Sequence, residues 1–479
     1  MSFNRTEASH EKRKEICMKI NYNMSAKITN QQLLRTEDKM TAVMERLSSG
    51  FKLNHAKDNP SGMAISNKMI LQIDGLSQSS KNASNGTSVM QTADGALSEV
   101  TDLIQRMREL SVQAASDSNT PDDRKAIQKE IDSLKQEVDR VSKDTEFNTK
   151  SLLDGSLGRR VYTTNATRVS VSGDVTAGNY SVTIDKAAEQ AVMQADTAVF
   201  NDMTATVGVK GKITINDSIV NIEATDTYEE VFEKIRDGGE IGETIVKLDG
   251  DKLDFTSTAY GDTGMVKIEI SDPALAGALG FAATEPAIAY GSNAEVDIHG
   301  AGSGFPETAT AELRGNRVII TDRDGFSISF LTDSGLADGS TVDLEVTDMG
   351  MMQLQIGPNE NQTMRVDIPK MSAEMLYLDD LDVTTVTGAD RGIRALDEAL
   401  AQVSGIRASL GAYENRLDYT IGSLDATGEN MTQALSRIKD ADMAVEMTEY
   451  TQQNVLAQAA TSVLAQANDL PQQVLQLLQ

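Results

Sequence analysis

The N-terminal part of the chain carries apolar residues at the spacing of amphipathic helices. Three sets recur at every third or fourth position with a seven-residue period, which places each set on one helix face. They are Met40, Val43, Leu47 and Phe51; Leu97, Val100, Ile104, Met107 and Ala114, with Leu110 beside them; and Ile127, Ile131, Leu134, Val138 and Val141. Before the last set, Thr120 can cap a helix whose first turn holds Pro121. This part of the chain is therefore predicted to be helical.

The C-terminal part repeats the pattern over a greater length. From Arg391 to Leu424 there is no proline, so the sequence predicts about 50 Å of continuous helix. Its apolar seam consists of Leu396, Leu400, Val403, Ile406, Leu410, Tyr413, Leu417, Ile421 and Leu424, continued by Met431, Leu435 and Ile438. A last seam runs from Leu456 to Leu470, where alanine also takes seam positions and suits close helix approach.

The middle of the chain alternates apolar and polar residues, which is typical of β-strands. The stretches are "GNYSVTID", "GKITINDSIVNIEA", "ETIVKLDGDKLDFTST" and "MVKIEIS". The "DGD" at 249–251 indicates a hairpin turn, "RVIITDRDGFSISF" a further hairpin, and "TYEEVFEKIRDGG" a short helix. We expect a β-rich region with small helices.

The order of helices, strands and helices predicts an α+β protein. We expect a long α-helical coiled-coil rod built from paired N- and C-terminal segments, with a β-rich outer domain inserted at its far tip. Two terminal helices alone would leave apolar surface exposed, and residues 460–479 contain a single charged side chain, Asp469. We expect that surface to contact neighbouring subunits.

Charge and composition narrow the classes of partner. The formal net charge is −28, and residues 161–390 hold 39 Asp/Glu against 14 Lys/Arg, so the middle carries nearly all of it. This argues against nucleic acid and anionic membranes as partners. The N-terminus lacks the apolar core of a secretory signal, so any export would use another route. Cys17 is the only cysteine, which excludes an internal disulfide.

The residues do not suggest an enzyme, a cofactor or a metal site. His10, His55 and His299 lack metal-ligand spacing, and "GAGSG" at 300–304 lacks the Lys-Ser/Thr of a phosphate loop. "DRDG" at 322–325 invites a calcium interpretation, but no complete ligand loop follows, so a turn is expected. An enzyme hidden in the insert is the class we favour least.

Several long motifs stand out at both ends of the chain. They include "MERLSSGFKLNHAKDNPSGMAISNKM" (44–69), "LIQRMRELSVQAASDSNTPDDRKAIQKEI" (103–131), "LQIGPNENQTMRVDI" (354–368), "GAYENRLDYTI" (411–421) and "TSVLAQANDLPQQVLQLLQ" (461–479). These motifs closely resemble bacterial flagellin. The match covers 18–157 and 352–479, and 211–281 resembles the repeat inserted in some flagellins. Residues 1–17 have no counterpart in the family and are expected to be a disordered extension.

The resemblance implies a domain plan and a role. Residues 18–59 and 440–479 would be the terminal inner-tube helices (D0), and 60–157 with 352–439 the helical rod domain with a β-hairpin (D1). Residues 158–351 would form the variable outer domain. The implied role is the structural subunit of the extracellular flagellar filament, exported by a type III system and in contact with itself, filament cap and junction proteins.

The terminal helices are expected to be largely disordered in the free monomer and to fold on assembly. Their apolar side chains would contact other copies and, as the resemblance implies for the C-terminus, an export chaperone. The expected polymerisation and chaperone residues are Leu456, Val463, Leu464, Leu470, Val474, Leu475, Leu477 and Leu478.

The resemblance also implies recognition by host Toll-like receptor 5. The family's receptor motif is matched by "QRMREL", and positions 106, 110 and 113 are spaced to share one helix face. The implied receptor residues are Arg106, Glu109, Leu110, Gln113, Glu130 and Arg416. From sequence physics alone, ordinary solvated helix charges would be the favoured explanation of Arg106 and Glu130, and the motif match reverses that preference.

Two alternatives share the same terminal helices. A hook–filament junction protein uses similar ends, although it usually diverges in "ERLSSG" and "LAQANDLPQQVLQLLQ", which are intact here. A flagellin-framed adhesin would use the exposed insert. Stoichiometry in purified filaments separates the first from a filament subunit.

Overall fold

The computed structural model describes residues 23–172, 175–282, 287–300, 302–323, 325–333 and 335–477. The expected extension 1–17, with Cys17, lies outside these residues. The chain forms two compact units, divided at 78/79 and at 422/423. We call the two chain ends together the terminal unit, and Ser79–Gly422 the central unit. The domain boundaries expected at 59/60 and 439/440 differ from these divisions, because they fall at the ends of helices. The expected domain plan stays a prediction.

The helices occupy both ends of the chain, with two short ones in its middle. In the described residues they are α1 (Met24–Ser49), α2 (Pro60–Ala114), α3 (Pro121–Asp144), α4 (Tyr228–Ile241), α5 (Pro273–Ala278), α6 (Val386–Lys439) and α7 (Met443–Leu477). The predicted seam helices are confirmed, and α6 extends the helix expected for 391–424 in both directions.

Local chemistry explains where α1 and α3 begin and end. The Asn23 side chain accepts the Ala26 N–H at the start of α1, and Gly50 ends the helix in the left-handed conformation at φ 73°. Phe51 was therefore wrongly expected on the α1 stripe, because the helix stops before it. Thr120 forms a capping box with Asp123 at the start of α3, as its position before Pro121 predicts.

In the terminal unit, α1 and α7 lie antiparallel. The Asn23 side chain donates to the Ala467 carbonyl over 2.7 Å at one end of the pair. At the other end, Arg46 Nε donates to Glu446 Oε1 over 2.9 Å. The linkers after α1 and α6 also pair, since Ala441 N–H donates to the Gly50 carbonyl over 2.9 Å.

In the central unit, α2, α3 and α6 enclose one apolar core, which we call the rod core. Leu97, Val100, Ile104 and Met107 of α2 are fully buried in it, which confirms the predicted seam. Their partners from the other helices include Ile131, Val138, Leu396, Val403, Leu410 and Leu417. Two ion pairs show that α2 and α6 run antiparallel: Arg407 pairs with Asp94, and Arg108 pairs with Asp397.

The strands of the described residues lie between α3 and α6. They are β1 (Glu146–Phe147), β2 (Lys150–Ser151), β3 (Val161–Thr163), β4 (Ala166–Val171), β5 (Gly178–Lys186), β6 (Gln190–Gln194), β7 (Gly211–Ile215), β8 (Ser218–Ile222), β9 (Thr244–Asp249), β10 (Lys252–Tyr260), β11 (Met265–Ile270), β12 (Ala287–Tyr290), β13 (Glu295–Asp297), β14 (Thr310–Arg314), β15 (Arg317–Thr321), β16 (Ser327–Thr332), β17 (Ser340–Val346), β18 (Met352–Gln355) and β19 (Thr363–Val366).

The larger sheets form two β-rich lobes, each with its own core. Lobe 1 contains the sheets β6-β10-β9 and β12-β11-β7-β8 with α4 and α5; Phe255 and Ile213 lie in its core. Lobe 2 contains β13-β5-β17-β3 and β14-β15-β16-β4; Phe330 and Val342 lie in its core. Every pairing is antiparallel, and the turn expected at 249–251 joins β9 to β10.

The hairpin β18–β19 packs against α2. Leu354 of the hairpin lies close to Gly86 of α2, so that a Cβ atom added to Gly86 would lie 2.6 Å from Leu354 Cδ1. Met364 and Val366 of the same hairpin belong to the rod core. The predicted α+β class is confirmed: paired N- and C-terminal helices carry an inserted β-rich region.

Candidate assembly and receptor surfaces

A charged cluster joins α2 to α3 on the surface of the central unit. Arg106 Nη2 lies 2.8 Å from Glu130 Oε1, and its Nη1 lies 3.2 Å from Glu109 Oε2. The hydrogen bond to Glu130, followed by that to Glu109, raises the pKa of Arg106 above its ordinary value. The Arg106 side chain is 51% exposed, so the cluster is open to a partner. We call Arg106, Glu109, Gln113 and Glu130 the arginine cluster.

Leu110 does not share this surface. It was expected beside Arg106 and Gln113, but it is 2% exposed and belongs to the rod core. The reason is that α2 packs on both α3 and α6, so its buried sector is wider than a single stripe and includes position 110. The expected exposure of Leu110 on the receptor face is therefore wrong. Gln113 and Glu130 are exposed, as expected.

Arg416 is exposed on α6 but lies far from the arginine cluster. Gln91 Nε2 donates to Glu414 Oε1 over 2.6 Å, so Arg416 lies level with about residue 89 of α2. Seventeen residues of helix separate that level from Arg106, which corresponds to about 25 Å. One partner would have to extend along the helices to contact both.

Sequence reasoning missed the ion pairs that bridge α2 and α6. Arg108 Nε lies 2.6 Å from Asp397 Oδ1, and Arg407 Nε lies 2.8 Å from Asp94 Oδ1. The available signal was the position of these charges beside the apolar seam, which is where helices in coiled coils place pairing charges.

The terminal unit leaves many of its apolar side chains exposed. Among the expected polymerisation residues, Leu456 is 45% exposed and Val463 and Leu470 are each 51% exposed, while Leu464 is half-buried. The side chains of Val474, Leu475 and Leu477, and all of Leu478, lie outside what the structure describes. On α1, Met24, Ile28 and Leu34 are exposed as well, and these were missed because α1 was read only from Met40 onward.

Within the terminal unit, a partly buried ion pair fixes how α1 meets α7. Arg46 Nε lies 2.9 Å from a Glu446 carboxylate oxygen, and Arg46 Nη2 lies 3.4 Å from Glu449 Oε2. Glu446 is buried and Arg46 is about one-quarter exposed. Removing either partner would leave a poorly solvated charge, so this pair favours one register of the two helices.

The described part of the chain contains two histidines, His55 and His299. His55 Nε2 lies 2.7 Å from Glu45 Oε1, and His299 Nε2 contacts the Glu307 carbonyl, so these histidines have separate partners. No group of three or more His, Cys, Asp or Glu residues suited to a metal occurs among the described residues. Nor does any helix there combine the length and apolarity needed to cross a membrane.

Both chain ends match known protein families. Residues 20–157 match the family described as bacterial flagellin N-terminal helical region. Residues 393–478 match the family described as bacterial flagellin C-terminal helical region. The two matched segments contain α1–α3 and most of α6 and α7.

Curated relatives extend the similarity across the insert. The flagellin of Clostridium tyrobutyricum is 32% identical over 459 residues, which cover 95% of this chain and 100% of that protein. Flagellin C of Vibrio cholerae serotype O1 is 31% identical over 464 residues, covering 97% of this chain and 100% of that protein.

Solved structures show weaker similarity. Flagellar hook associated protein-3 from Legionella pneumophila is 12% identical, with a TM-score of 0.31 over 78% of this chain and 98% of that one. FliC from Burkholderia pseudomallei is 18% identical, with a TM-score of 0.24 over 69% of this chain and 99% of that one. These TM-scores are low, so the fold rests on the chain's own elements.

Proposed function

The chain belongs to the flagellin family, and from that premise we propose that it is the subunit of a helical flagellar filament, polymerising through the exposed apolar side chains of its terminal unit. The observation that carries this proposal is the state of α7, where Ala467 is buried against α1 while Val463 and Leu470 remain half-exposed. Burial of one such side chain stabilises by about 1.5–3 kcal/mol. Repeated contacts between copies supply that burial.

A single charge on the exposed side of α7 tests the proposal. Val463→Asp places a carboxylate in the proposed contact, and Gln452→Asp places the same group at an exposed polar position of the same helix. We expect Val463→Asp to raise the critical concentration for seeded assembly by about tenfold or more, and the control to change it much less. Sedimentation and electron microscopy measure both. Assembly of Val463→Asp at the unaltered concentration would overturn the assignment.

The same helix supports a second contact, with an export chaperone. An amphipathic segment with exposed apolar residues is suited to a hydrophobic groove. We expect the monomeric full chain to bind the chaperone in titration calorimetry and a chain ending at Lys439 not to bind it. Equal affinity of the two would move the chaperone site away from α7. Cap and junction proteins would contact the terminal helices at the filament ends.

A further function, as ligand of Toll-like receptor 5, is supported by the arginine cluster. Arg106 offers a half-exposed guanidinium that Glu109 and Glu130 already orient, and such preorganised arginines are frequent hot spots of binding. Leu110 contributes only by holding α2 in place, because its side chain is buried. Arg416 would belong to a distant part of the same interface.

The chain offers a matched control for the receptor contact. Arg140 on α3 is 53% exposed and pairs with Glu137 and Asp144, much as Arg106 pairs with its two glutamates. We expect Arg106→Ala to lower potency in a receptor reporter assay by about tenfold or more, and Arg140→Ala to leave it within about twofold. Equal potencies of the two variants would remove Arg106 from the interface.

Two alternative roles are separated by counting copies. A filament subunit forms nearly all of the mass of a purified filament, whereas a hook–filament junction protein forms a short segment at one end. A flagellin-framed adhesin would keep the filament role and add binding by the lobes. Quantitative mass spectrometry of filaments from the source organism decides the first question, and adhesion of filaments lacking residues 158–351 decides the second.

A further inference from the structure

The central unit contains three separate apolar cores. The rod core, the core of lobe 1 and the core of lobe 2 share none of their buried members in the described residues. The helical part of the central unit with the β18–β19 hairpin is called the rod below. The contacts that hold the lobes on the rod are therefore not an extension of any core, and their chemistry is different.

Lobe 1 reaches the start of α6 through polar contacts. The Glu243 carboxylate pairs with the Arg391 guanidinium. Asp217 Oδ2 accepts the Thr387 backbone N–H over 3.2 Å. Burial lowers the pKa of Arg391, because desolvation penalises its charged form. The nearby carboxylate of Asp217 partly opposes this shift.

Lobe 2 contacts the same helix about two to three turns further along. Glu398 of α6 forms ion pairs with two arginines of lobe 2. Arg317 Nη1 lies 3.0 Å from Glu398 Oε2, and Arg314 pairs with the other carboxylate oxygen. The Arg317 guanidinium also lies 3.7 Å from the centre of the Tyr377 ring. Arg168 of β4 lies 3.5 Å from Asp379 Oδ2. Every one of these contacts is ionic, hydrogen-bonded or cation–π.

A polar cleft separates the lobes from the rod between these contacts. Its volume is about 870 Å³, and its lining includes Gln128, Arg168, Glu240, Asp333, Asp382 and Arg391. An interface that encloses such a space is not close-packed as protein interiors are. Its stability therefore depends on the polar contacts at its edges, of which the ion pairs carry the full charges.

The chain crosses between rod and lobes at a narrow neck. Gly350 adopts φ 101°, and a Cβ there would lie 2.3 Å from the Gly158 carbonyl oxygen. The Arg160 N–H donates to the Met349 carbonyl over 3.0 Å, and the Thr347 N–H donates to the Arg160 carbonyl, also over 3.0 Å. These few backbone contacts can act as a pivot, because no core crosses them.

We propose that the ion pairs of Glu398 with Arg314 and Arg317, of Glu243 with Arg391 and of Arg168 with Asp379 form an electrostatic clasp that holds both lobes against the rod, and that opening the clasp lets the lobes swing about the neck. Glu398 is its central residue, because among the carboxylates of the clasp it is the one that pairs with two arginines. The clasp closes the cleft and fixes the direction of the lobes. It acts within one chain and is independent of polymerisation.

Substitution of Glu398 is the direct test. Glu398→Gln removes the charge that both arginines face, and Glu345→Gln makes the same change at an exposed position of β17 for which the structure describes no ion pair. In the full-length monomer we expect Glu398→Gln to speed hydrogen exchange of residues 377–382, beside the cleft, by about tenfold. Strands in the two lobe cores should keep their exchange rates. X-ray scattering should show a larger radius of gyration for this variant alone.

A charge exchange and a salt titration distinguish opening of the clasp from misfolding of the variant. Arg391→Glu should open the clasp, and Arg391→Glu combined with Glu243→Arg should close it again, which loss of structure would not do. For the unaltered chain, raising sodium chloride from about 0.05 to 1 M shortens the screening length to about 3 Å and should increase exchange at 377–382. Unchanged exchange and scattering in Glu398→Gln and in high salt together would overturn the clasp. Opening without rescue by the exchanged pair would overturn it too.

Discussion

The two units of this protein differ in where their apolar side chains lie. In the described residues of the terminal unit, the buried apolar side chains are Val43, Leu53, Leu76 and Ala467. In the central unit, three helices and a hairpin enclose the rod core, and each lobe has a core of its own. Both units are rich in long helix, so helix content alone says little about independent stability.

The number of partners that surround each helix explains this difference. A pair of helices buries one side of each member and leaves the remaining apolar positions in solvent, as for Ile28 and Val463. In the rod, α2 has α3 on one side and α6 on another, so even Leu110 is enclosed. We therefore expect a unit with so few buried side chains to gain most of its stability from additional copies.

Hydrogen exchange on the monomer gives the largest expected difference between the units. We expect amides of α1 and α7 to exchange at least about 100-fold faster than those of α2 near Ile104, because the terminal pair buries too little to resist opening. In the assembled filament the terminal amides should become protected. Strong protection of residues 440–477 in the monomer would contradict the prediction that this segment folds on assembly.

Truncation of one buried residue in each unit sharpens the comparison. Ile104→Ala should lower the free energy of unfolding of the central unit by about 2–5 kcal/mol, since it leaves a cavity in the rod core. Val43→Ala should leave that value nearly unchanged and raise the critical concentration for assembly instead. Urea unfolding followed by near-ultraviolet circular dichroism, together with sedimentation, measures both effects. A similar loss of monomer stability from Val43→Ala would mean that the terminal unit is already folded and coupled to the rod.

Removing the α3 cap should have an intermediate effect. Thr120→Ala deletes the side chain that accepts the Asp123 N–H, and we expect a loss of about 1 kcal/mol in the central unit. Ser133→Ala, at an exposed position inside α3, should cause no loss. Assembly should be unaffected by both substitutions. A Thr120→Ala variant as stable as the unaltered chain would show that tertiary packing alone fixes the start of α3.

The smallest expected effect concerns a buried carboxyl group. Burial raises the pKa of Asp367 above its ordinary value of 3.8, although its Oδ1 accepts the Arg159 backbone N–H over 2.9 Å. A carboxyl group with a raised folded pKa favours the folded state below its unfolded pKa, and this contribution is lost as the pH rises through the folded pKa. The substitution Asp367→Asn keeps a side-chain oxygen that can accept the Arg159 N–H, and it removes the negative charge.

We therefore expect Asp367→Asn to raise the free energy of unfolding at pH 7 by up to about 1 kcal/mol, and the gain to disappear near pH 3.5. Urea unfolding at the two pH values measures it, with exposed Asp418→Asn as the control. A loss of stability at pH 7 would show that the carboxylate is stabilised in place by its partners. The effect should be confined to the central unit, because Asp367 lies in it.

Local pattern predicted much of the helical framework. The 97/100/104/107 stripe, the Thr120 cap and the turn at 249–251 all follow from spacing or from the residue types at a turn, and the structure has each of them. Phe51 was misplaced because a single glycine ended α1. Leu110 was misplaced because a stripe does not reveal how many neighbours a helix has.

By itself, the sequence determined the α+β class, the paired helical ends, the acidic β-rich insert and the candidate Arg106, because periodicity, charge and motif are properties of neighbouring residues. Only the tertiary structure decided the order of strands in the two lobes, the Arg46–Glu446 register and the clasp on Glu398. The Arg46–Glu446 pair and the clasp on Glu398 join residues that lie from about 80 to 400 positions apart. Contacts at such separations depend on how whole elements pack, which no local pattern specifies.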